Sequence, residues 1–167
     1  SGGAVGSIAR AINNSGVLTG SSNAATGDRA IRQQPAGTLE NLGDLPGGLD
    51  QSFGQAINAA GNVSGWSSNS QGGVGFLWQP AVGFTEIGDL AGGFYASLGY
   101  GLNDANTVVG MSNGVNGWEA VRWSAASGLL SLGDLNGGAT DSVAYDINNF
   151  GQIVGRGTSE LGQRAAF

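Results

Sequence analysis

The 167-residue chain contains no cysteine, no histidine and no lysine, and each absence excludes a class of protein. Without cysteine the chain cannot be a disulfide-stabilised scaffold. Without cysteine or histidine it also lacks the common nucleophile–base pairs and most ligands of transition metals. Paired carboxylates could still hydrolyse a glycosidic bond, but the twelve acidic residues are scattered along the sequence. We therefore expect no enzymatic activity and no cofactor.

Positive charge is also scarce, since the six basic residues are all arginine and the net charge is −6. Nucleic acids and anionic membranes attract clustered cations. No apolar run approaches the roughly 18 residues of a membrane span. The chain begins without methionine and without a secretion signal, which is typical of a processed or excerpted sequence. We expect neither nucleic acid as a partner nor insertion into a membrane.

Glycine is abundant instead, at 33 positions, and an internal repeat of 45 residues places many of them. The sequence Gly-Asp-Leu begins at Gly43, Gly88 and Gly133, each 45 residues after the last. The same step relates the asparagines Asn13, Asn58, Asn103 and Asn148 and the glycines Gly20, Gly65, Gly110 and Gly155. We interpret the chain as a single repeat domain, 1–167, with units at approximately 1–45, 46–90, 91–135 and 136–167.

Each unit begins with an alternating segment and a turn. Val143, Tyr145 and Ile147 alternate with smaller residues, and in the first three units the opposite face holds only glycine or alanine. This predicts an inner strand pressed against a neighbouring backbone. The turn that follows has the form Asn-x-x-Gly, and its last position is Gly16, Gly61, Asn106 and Gly151. Asparagine is the non-glycine residue that best tolerates positive φ, so we predict a left-handed conformation there, closed by the first asparagine side chain.

Two or three further strands complete each unit. Variable polar segments at 23–28, 67–73, 113–118 and 158–162 are expected to form loops on one rim, where repeat scaffolds bind ligands. The third strand of the fourth unit, Ala165-Ala166-Phe167, is displaced by one residue, and no fourth strand follows it. Four antiparallel strands in 45 residues match one propeller blade. We predict an all-β fold, a β-propeller-like array of four four-stranded units whose last unit lacks a strand, with a β-solenoid or layered sheets as the alternative.

The repeat resembles the bacterial extracellular HAF family, whose units resemble WD40-like propeller repeats. The residues that carry the resemblance are Ala56-Ile57-Asn58, Gly61, Gly65, Phe76-Leu77-Trp78 and Ile87-Gly88-Asp89-Leu90-Ala91-Gly92-Gly93. The histidine of the family name is absent, and aspartate replaces the usual small residue between glycine and leucine. The resemblance implies a secreted or cell-surface protein without a known catalytic activity.

The missing sixteenth strand predicts contacts beyond the chain, because an unpaired strand edge recruits another strand. Three explanations are open: the chain is part of a longer array, a neighbouring subunit supplies the strand, or the last unit is simply short. The first two make flanking repeats or another copy of the chain the partner. The predicted assembly edge comprises Gly3, Ile8, Ile12 and Phe167.

Two sets of residues are weaker candidates for ligand binding. Asp44, Asp89 and Asp134 recur at one level and could hold calcium, although hydrogen bonds to the following glycine turn explain them better. Trp66 and Trp118 lie near the variable segments and could stack on sugar rings, whereas the repeat-equivalent Trp78 and Trp123 are predicted core residues. The favoured interpretation is a self-assembling structural protein of the filament, sheath or matrix type. The alternative is a glycan-binding adhesin of lectin type.

Overall fold

The computed structural model describes residues 6–135, 140–159, 162 and 164–167, and within them the chain forms fifteen β-strands and no helix. The all-β prediction is therefore confirmed. This part of the chain accordingly contains no helix able to cross a membrane. Short alternating segments separated by glycine-rich turns explain the result, because helices need longer stretches of 3.6-residue periodicity.

The strands follow the repeat. The first unit contains β1 Ser7–Ile12, β2 Leu18–Ala24, β3 Gly27–Gln33 and β4 Leu39–Gly43. The second contains β5 Gly47–Ile57, β6 Val63–Asn69, β7 Gly73–Gln79 and β8 Gly83–Glu86. The third contains β9 Gly92–Leu102, β10 Val108–Gly114, β11 Gly117–Ser124 and β12 Gly128–Gly133. The fourth contains β13 Val143–Ile147, β14 Ile153–Thr158 and β15 Arg164–Ala166.

Within each unit, consecutive strands pair antiparallel in sequence order. A single parallel bridge between Gly73 and Ala96 joins the second and third units, so their strands hydrogen-bond as one eight-stranded sheet. A parallel bridge between Trp118 and Asp141 relates the third and fourth units in the same way. The third strand of one unit thus touches the first strand of the next.

The left-handed turn position is confirmed in all four units. The φ angles are 77° at Gly16, 76° at Gly61, 60° at Asn106 and 81° at Gly151. Asn106 is the one non-glycine residue with positive φ in the described part of the chain. The first asparagine closes each turn as predicted: Asn13 Oδ1, for example, accepts hydrogen bonds from the backbone N–H groups of Ser15 and Val17 at 3.0 Å.

The prediction of variable loops between the second and third strands is wrong in the first three units, because most residues of those segments belong to strands. Only residues 25–26, 70–72 and 115–116 separate the second and third strands. The strands continue because the hairpin tips pack on the next unit: a Cβ atom on Gly27 would lie 1.9 Å from the carbonyl oxygen of Asp50. Residues 160 and 161 of the fourth segment lie outside the described residues.

The predicted displacement in the fourth unit is confirmed. Gly155 and Phe167 exchange backbone hydrogen bonds of 3.1 and 3.2 Å. The equivalent of Gly155 in the second unit is Gly65, and the residue opposite Gly65 is Phe76. Phe167 lies 91 residues after Phe76, which is one more than two repeats of 45. A Cβ atom on Gly155 would lie 2.5 Å from the Phe167 ring, as one on Gly65 would lie 2.9 Å from Phe76. The shift therefore keeps an aromatic ring over this glycine.

The hydrophobic core lies at the three junctions between units. The first junction buries Val17, Ala30, Ile57, Val63, Phe76 and Trp78. The second buries Leu77, Ile87, Leu102, Val108 and Trp123. The third buries Val109, Ala120, Ala144 and Ile147. Each unit is thus stabilised mainly by its neighbours, as in other repeat proteins.

The inner strands press on the neighbouring backbone, as predicted from their glycines. A Cβ atom on Gly54 would lie 2.2 Å from Thr19 Oγ1 of the preceding unit. One on Gly99 would lie 2.9 Å from the carbonyl oxygen of Gly65, again one unit earlier. Contacts this short leave no room for a side chain, so glycine is required at these two positions. At the third junction the equivalent residue is the buried Ala144.

Candidate assembly faces

Each unit has two faces that pack on different neighbours. We call the face toward the preceding unit the N-side face and the face toward the following unit the C-side face. At the first junction, Ile57 and Val63 on the N-side face of the second unit pack on Val17 and Ala30 on the C-side face of the first. Among the described residues, no unit packs on the N-side face of the first unit or on the C-side face of the fourth, and side chains on both faces are exposed.

The open N-side face of the first unit is an apolar groove of about 270 Å³ lined by Ala9, Arg10, Ala11, Ile12 and Leu18. Ile12 is 68% exposed. Its repeat equivalents Ile57, Leu102 and Ile147 are 9%, 7% and 6% exposed, because a preceding unit covers them. The same position is therefore a core position wherever another unit is present.

The open C-side face of the fourth unit mirrors this. Val154 is 58% exposed, whereas its equivalents Thr19, Ser64 and Val109 are fully buried by a following unit. Ala166, the shifted equivalent of the fully buried Ala120, is exposed. These residues adjoin a groove of about 430 Å³ whose lining includes Val154 and Phe167.

A ladder of asparagine side chains crosses every junction. The Nδ2 group of Asn13 donates to the carbonyl oxygen of Asn58 at 2.9 Å, Asn58 donates to Asn103 at 3.1 Å, and Asn103 donates to Asn148 at 3.2 Å. The sequence predicted the turn-closing role of these residues and missed the contact between units. At the end of the ladder, Asn148 Nδ2 instead donates to the side chain of Gln152 at 2.7 Å.

A serine clasp also crosses every junction, and sequence reasoning missed it. Ser52 Oγ accepts a hydrogen bond from the Ala30 backbone N–H at 2.8 Å and donates to the Gly43 carbonyl oxygen at 2.5 Å, both in the preceding unit. Ser97 and Ser142 make the equivalent bonds at the second and third junctions. The 45-residue spacing of these serines was the available signal. Their equivalent Ser7 is exposed and hydrogen-bonds to Ser22 in its own unit.

The outer edge of β15 is open as well. The strand pairs with β14, and no described strand lies on its other side, whereas β3, β7 and β11 each have an outer partner. Because Phe167 exchanges hydrogen bonds with Gly155, the alternation of an antiparallel ladder turns the N–H and C=O groups of Ala166 outward. The equivalent Ala30 and Ala120 N–H groups donate to the clasp serines of the following units.

The two open faces carry opposite charges. Arg10 lines the groove of the first unit and is exposed. Asp146, also exposed, occupies a C-side position that holds alanine or glycine in the other units. In the third unit the residue equivalent to Asp146 is Gly101. A Cβ atom on Gly101 would lie 2.8 Å from the Cα atom of Asp146 and 3.1 Å from the carbonyl oxygen of Tyr145, both in the fourth unit.

Of the four predicted assembly residues, Ile12 and Phe167 line the two grooves described above. Ile8 is 57% exposed beside Ile12 on β1. Phe167 is partly exposed at the open end of the fourth unit. Gly3 lies outside the described residues. Ile8 and Ile12 belong to a strand that is already paired with β2, and of the two only Ile12 lines the groove of the N-side face.

The candidate calcium residues have separate surroundings. Asp134 Oδ1 and Oδ2 accept hydrogen bonds from the backbone N–H groups of Leu135 and Asp141 at 2.8 and 2.9 Å. Asp44 lies 3.9 Å from the Arg29 guanidinium. Burial raises the pKa of Asp89. Across the described residues, no three acidic side chains are grouped as a metal ion would require.

The tryptophans divide as the sequence suggested. Trp78 and Trp123 are buried core residues at the first and second junctions, which confirms that prediction. Trp66 is half-buried and stacks on Phe53 of the adjacent strand, with ring centroids 4.6 Å apart. Trp118 is also half-buried and makes an edge-to-face contact of 5.6 Å with a phenylalanine that is 63% exposed, Phe94.

One depression brings the same position of all four units together. Its volume is about 360 Å³, and its lining includes Asn13, Asn58, Asn103 and Asn148. Asp104 also lines it, accepting from the Ala59 backbone N–H at 2.8 Å and from the Asn149 side chain at 2.7 Å. The four asparagines of the ladder therefore all line the same depression.

Comparison with known proteins adds no assignment: no family model, no curated protein and no solved structure matches the chain. The resemblance to HAF repeats stays a prediction.

Proposed function

We propose that this chain is a non-enzymatic structural protein of the cell surface or extracellular space that assembles with further copies of itself. The observation that carries the proposal is the open end of the fourth unit: no described strand lies on the outer side of β15. In addition, the N–H groups equivalent to that of Ala166, those of Ala30 and Ala120, donate to a serine of a following unit. Unpaired edges of this kind recruit strands from other chains. Exposed apolar side chains beside the edge, such as Val154 and Phe167, favour the same conclusion.

The proposed architecture is an open, propeller-like array. Two features support it: the strands of each unit pair antiparallel in sequence order, and the first turns of all four units line one depression. A propeller arranges its blades around a central channel in this way. The extracellular location is supported by the resemblance to HAF repeats.

Self-association of the purified chain tests the proposal. Light scattering coupled to size-exclusion chromatography should show a mass that rises with concentration. Ala166→Pro removes the outward N–H group and should reduce association, whereas Ala166→Ser retains that group and should associate normally. A wild-type chain that stays monomeric at every concentration tested would refute the proposed assembly.

Glycan binding is the second candidate function, and the contact between Phe94 and Trp118 favours it. An exposed aromatic ring supported by a second ring offers a flat surface on which a sugar could stack. The test is binding to a glycan array, with Trp118→Ala as the variant and Trp66→Ala as the control. Loss of binding in the first variant alone, with the fold intact, would support a lectin role; an absence of saturable binding in the wild type would exclude it.

A further inference from the structure

We propose that the N-side face of the first unit binds the C-side face of the fourth unit in a second copy, so that chains join head to tail. The inference rests on the proposed function, since it names the partner and geometry of the same assembly. Its basis is that the molecule already contains this interface three times. Each internal junction shows which residues meet, and the open faces carry the same positions of the repeat.

Apolar residues match at three of the four main contact positions. At the first junction, Ile57 and Val63 pack on Val17 and Ala30. The open N-side face presents the equivalent pair, Ile12 and Leu18. The open C-side face presents Gln152 at the position of Val17 and Ala166, after its one-residue shift, at the position of Ala30; the neighbouring Val154 adds an exposed aliphatic side chain. Burial of these side chains against each other removes apolar surface from water, as it does at the internal junctions.

The polar groups match in the same register. At the third junction, the Ala120 N–H donates to Ser142 Oγ at 2.8 Å. In the proposed contact, the outward N–H of Ala166 would donate to Ser7 Oγ of the second copy. Asn148 Nδ2 would continue the ladder by donating to the carbonyl oxygen of Asn13. Asn148 and Ser7, which now hydrogen-bond within their own units, would then have the same partners as their equivalents at the internal junctions.

The charges on the two faces favour contact between unlike faces. Asp146 replaces the alanine or glycine found at its level in the other units, and a buried carboxylate without a counter-ion would oppose the contact. The first two junctions hold Ala11 and Ala56 at this level, so the proposed contact must be at least as open as they are. At the third junction the equivalent Gly101 leaves no room for a side chain beside the residues at positions 145 and 146 of the next unit. In a second copy those positions hold Arg10 and Ala11. The arginine of the first unit is therefore placed to neutralise the aspartate of the fourth.

Head-to-tail contacts make the two ends of the chain different, which a mixing experiment detects. Ile12→Arg should block only the N-side face and Val154→Arg only the C-side face. Both side chains are exposed, so neither change should impair folding. Each variant alone should be monomeric by light scattering, because its remaining face has no intact partner. Mixed in equal amounts, they should form a dimer that grows no further.

A charge exchange tests the register. Arg10→Glu and Asp146→Arg should each weaken association, and the double variant should restore it. Association of the wild type that both face variants leave unchanged would overturn the head-to-tail geometry while leaving the proposed self-assembly intact. Failure of the mixture to dimerise, with both single variants monomeric and folded, would also overturn it, because each variant retains the face that the other lacks. A single variant that still dimerises alone would indicate a symmetric contact between like faces and would overturn it too. A wild type that never associates would refute both proposals.

Discussion

The asparagine ladder predicts that replacing one amide nitrogen by oxygen will destabilise the whole array. Asn58→Asp is the sharpest change, because it preserves shape and alters one atom. Asn58 Oδ1 accepts from the Asn62 backbone N–H at 3.0 Å, and a carboxylate can still do this. Its Nδ2 group donates to the carbonyl oxygen of Asn103 at 3.1 Å and to Asn106 Oδ1 at 2.9 Å, and a carboxylate cannot.

The magnitude follows from these contacts. Two hydrogen bonds are lost, each contributing about 1 kcal/mol. The new carboxylate oxygen would face two acceptor oxygens at a side chain that is 4% exposed, which adds about 1–3 kcal/mol of unfavourable desolvation and repulsion. We expect the free energy of unfolding at pH 7 to fall by about 3–5 kcal/mol in total.

Acidification should reverse part of the loss. Burial and the neighbouring oxygens raise the pKa of the introduced aspartate in the folded state above its unfolded value of about 3.9. The variant is therefore least destabilised below that value, where the carboxyl is protonated and can donate one hydrogen bond. The deficit relative to wild type grows as the pH rises through the folded-state pKa.

Urea unfolding at pH 4 and pH 7, followed by tryptophan fluorescence, measures this difference. Asn106→Asp is the matched control, because Asn106 Oδ1 only accepts hydrogen bonds, from Asn58 and Asn62 at 2.9 and 2.7 Å, and a carboxylate does so equally well. The reasoning is refuted if the two variants are equally destabilised at pH 7, or if the deficit of Asn58→Asp does not shrink at pH 4.

Three further predictions follow from single side chains. Asn106→Gly removes two hydrogen bonds and should lower the free energy of unfolding by about 1–2 kcal/mol, although glycine adopts the φ of 60° without strain. Urea unfolding measures this change, and an increase in stability would mean that backbone strain dominates. Ser64→Ala should raise stability by about 1 kcal/mol in the same assay, since Ser64 Oγ is buried and hydrogen-bonds to no described residue; a decrease would indicate a bound water at this site. Asp89→Asn should raise the urea midpoint at pH 7 but not at pH 3. Burial raises the folded-state pKa of Asp89, so the contribution of this residue to stability is lost as the pH rises through that value. A pH-independent effect would contradict this reasoning.

Much of the local structure could be predicted because it depends on residues close in sequence. The substitution of glycine by asparagine at Asn106 correctly indicated a left-handed turn, since few residues tolerate that conformation. The one-residue shift that places Phe167 over Gly155 was also readable from the spacing. The loops were predicted wrongly because polarity and variability do not show that a hairpin tip packs on the next unit, as Gly27 does on Asp50.

The candidate site was only partly accessible from the sequence. Ile12 and Phe167 were predicted at an open edge, and the structure exposes both. The serine clasp was missed although Ser52 and its equivalents keep the repeat spacing, because a small polar residue in a strand has no distinctive pattern. Its role needs the positions of two backbone groups in another unit.

The 45-residue period, the order of the strands within it and the conformation of the turns can be read from the sequence, because the strands and turns depend on side chains within a few residues of one another. Packing between units sets which equivalent residues differ in environment. Ile12 and Ile57 occupy the same position of the repeat, yet one is 68% exposed and the other 9%, since only the second has a preceding unit against it. Burial at a junction depends on the neighbour as well as on the residue, and the neighbour is set by packing between units.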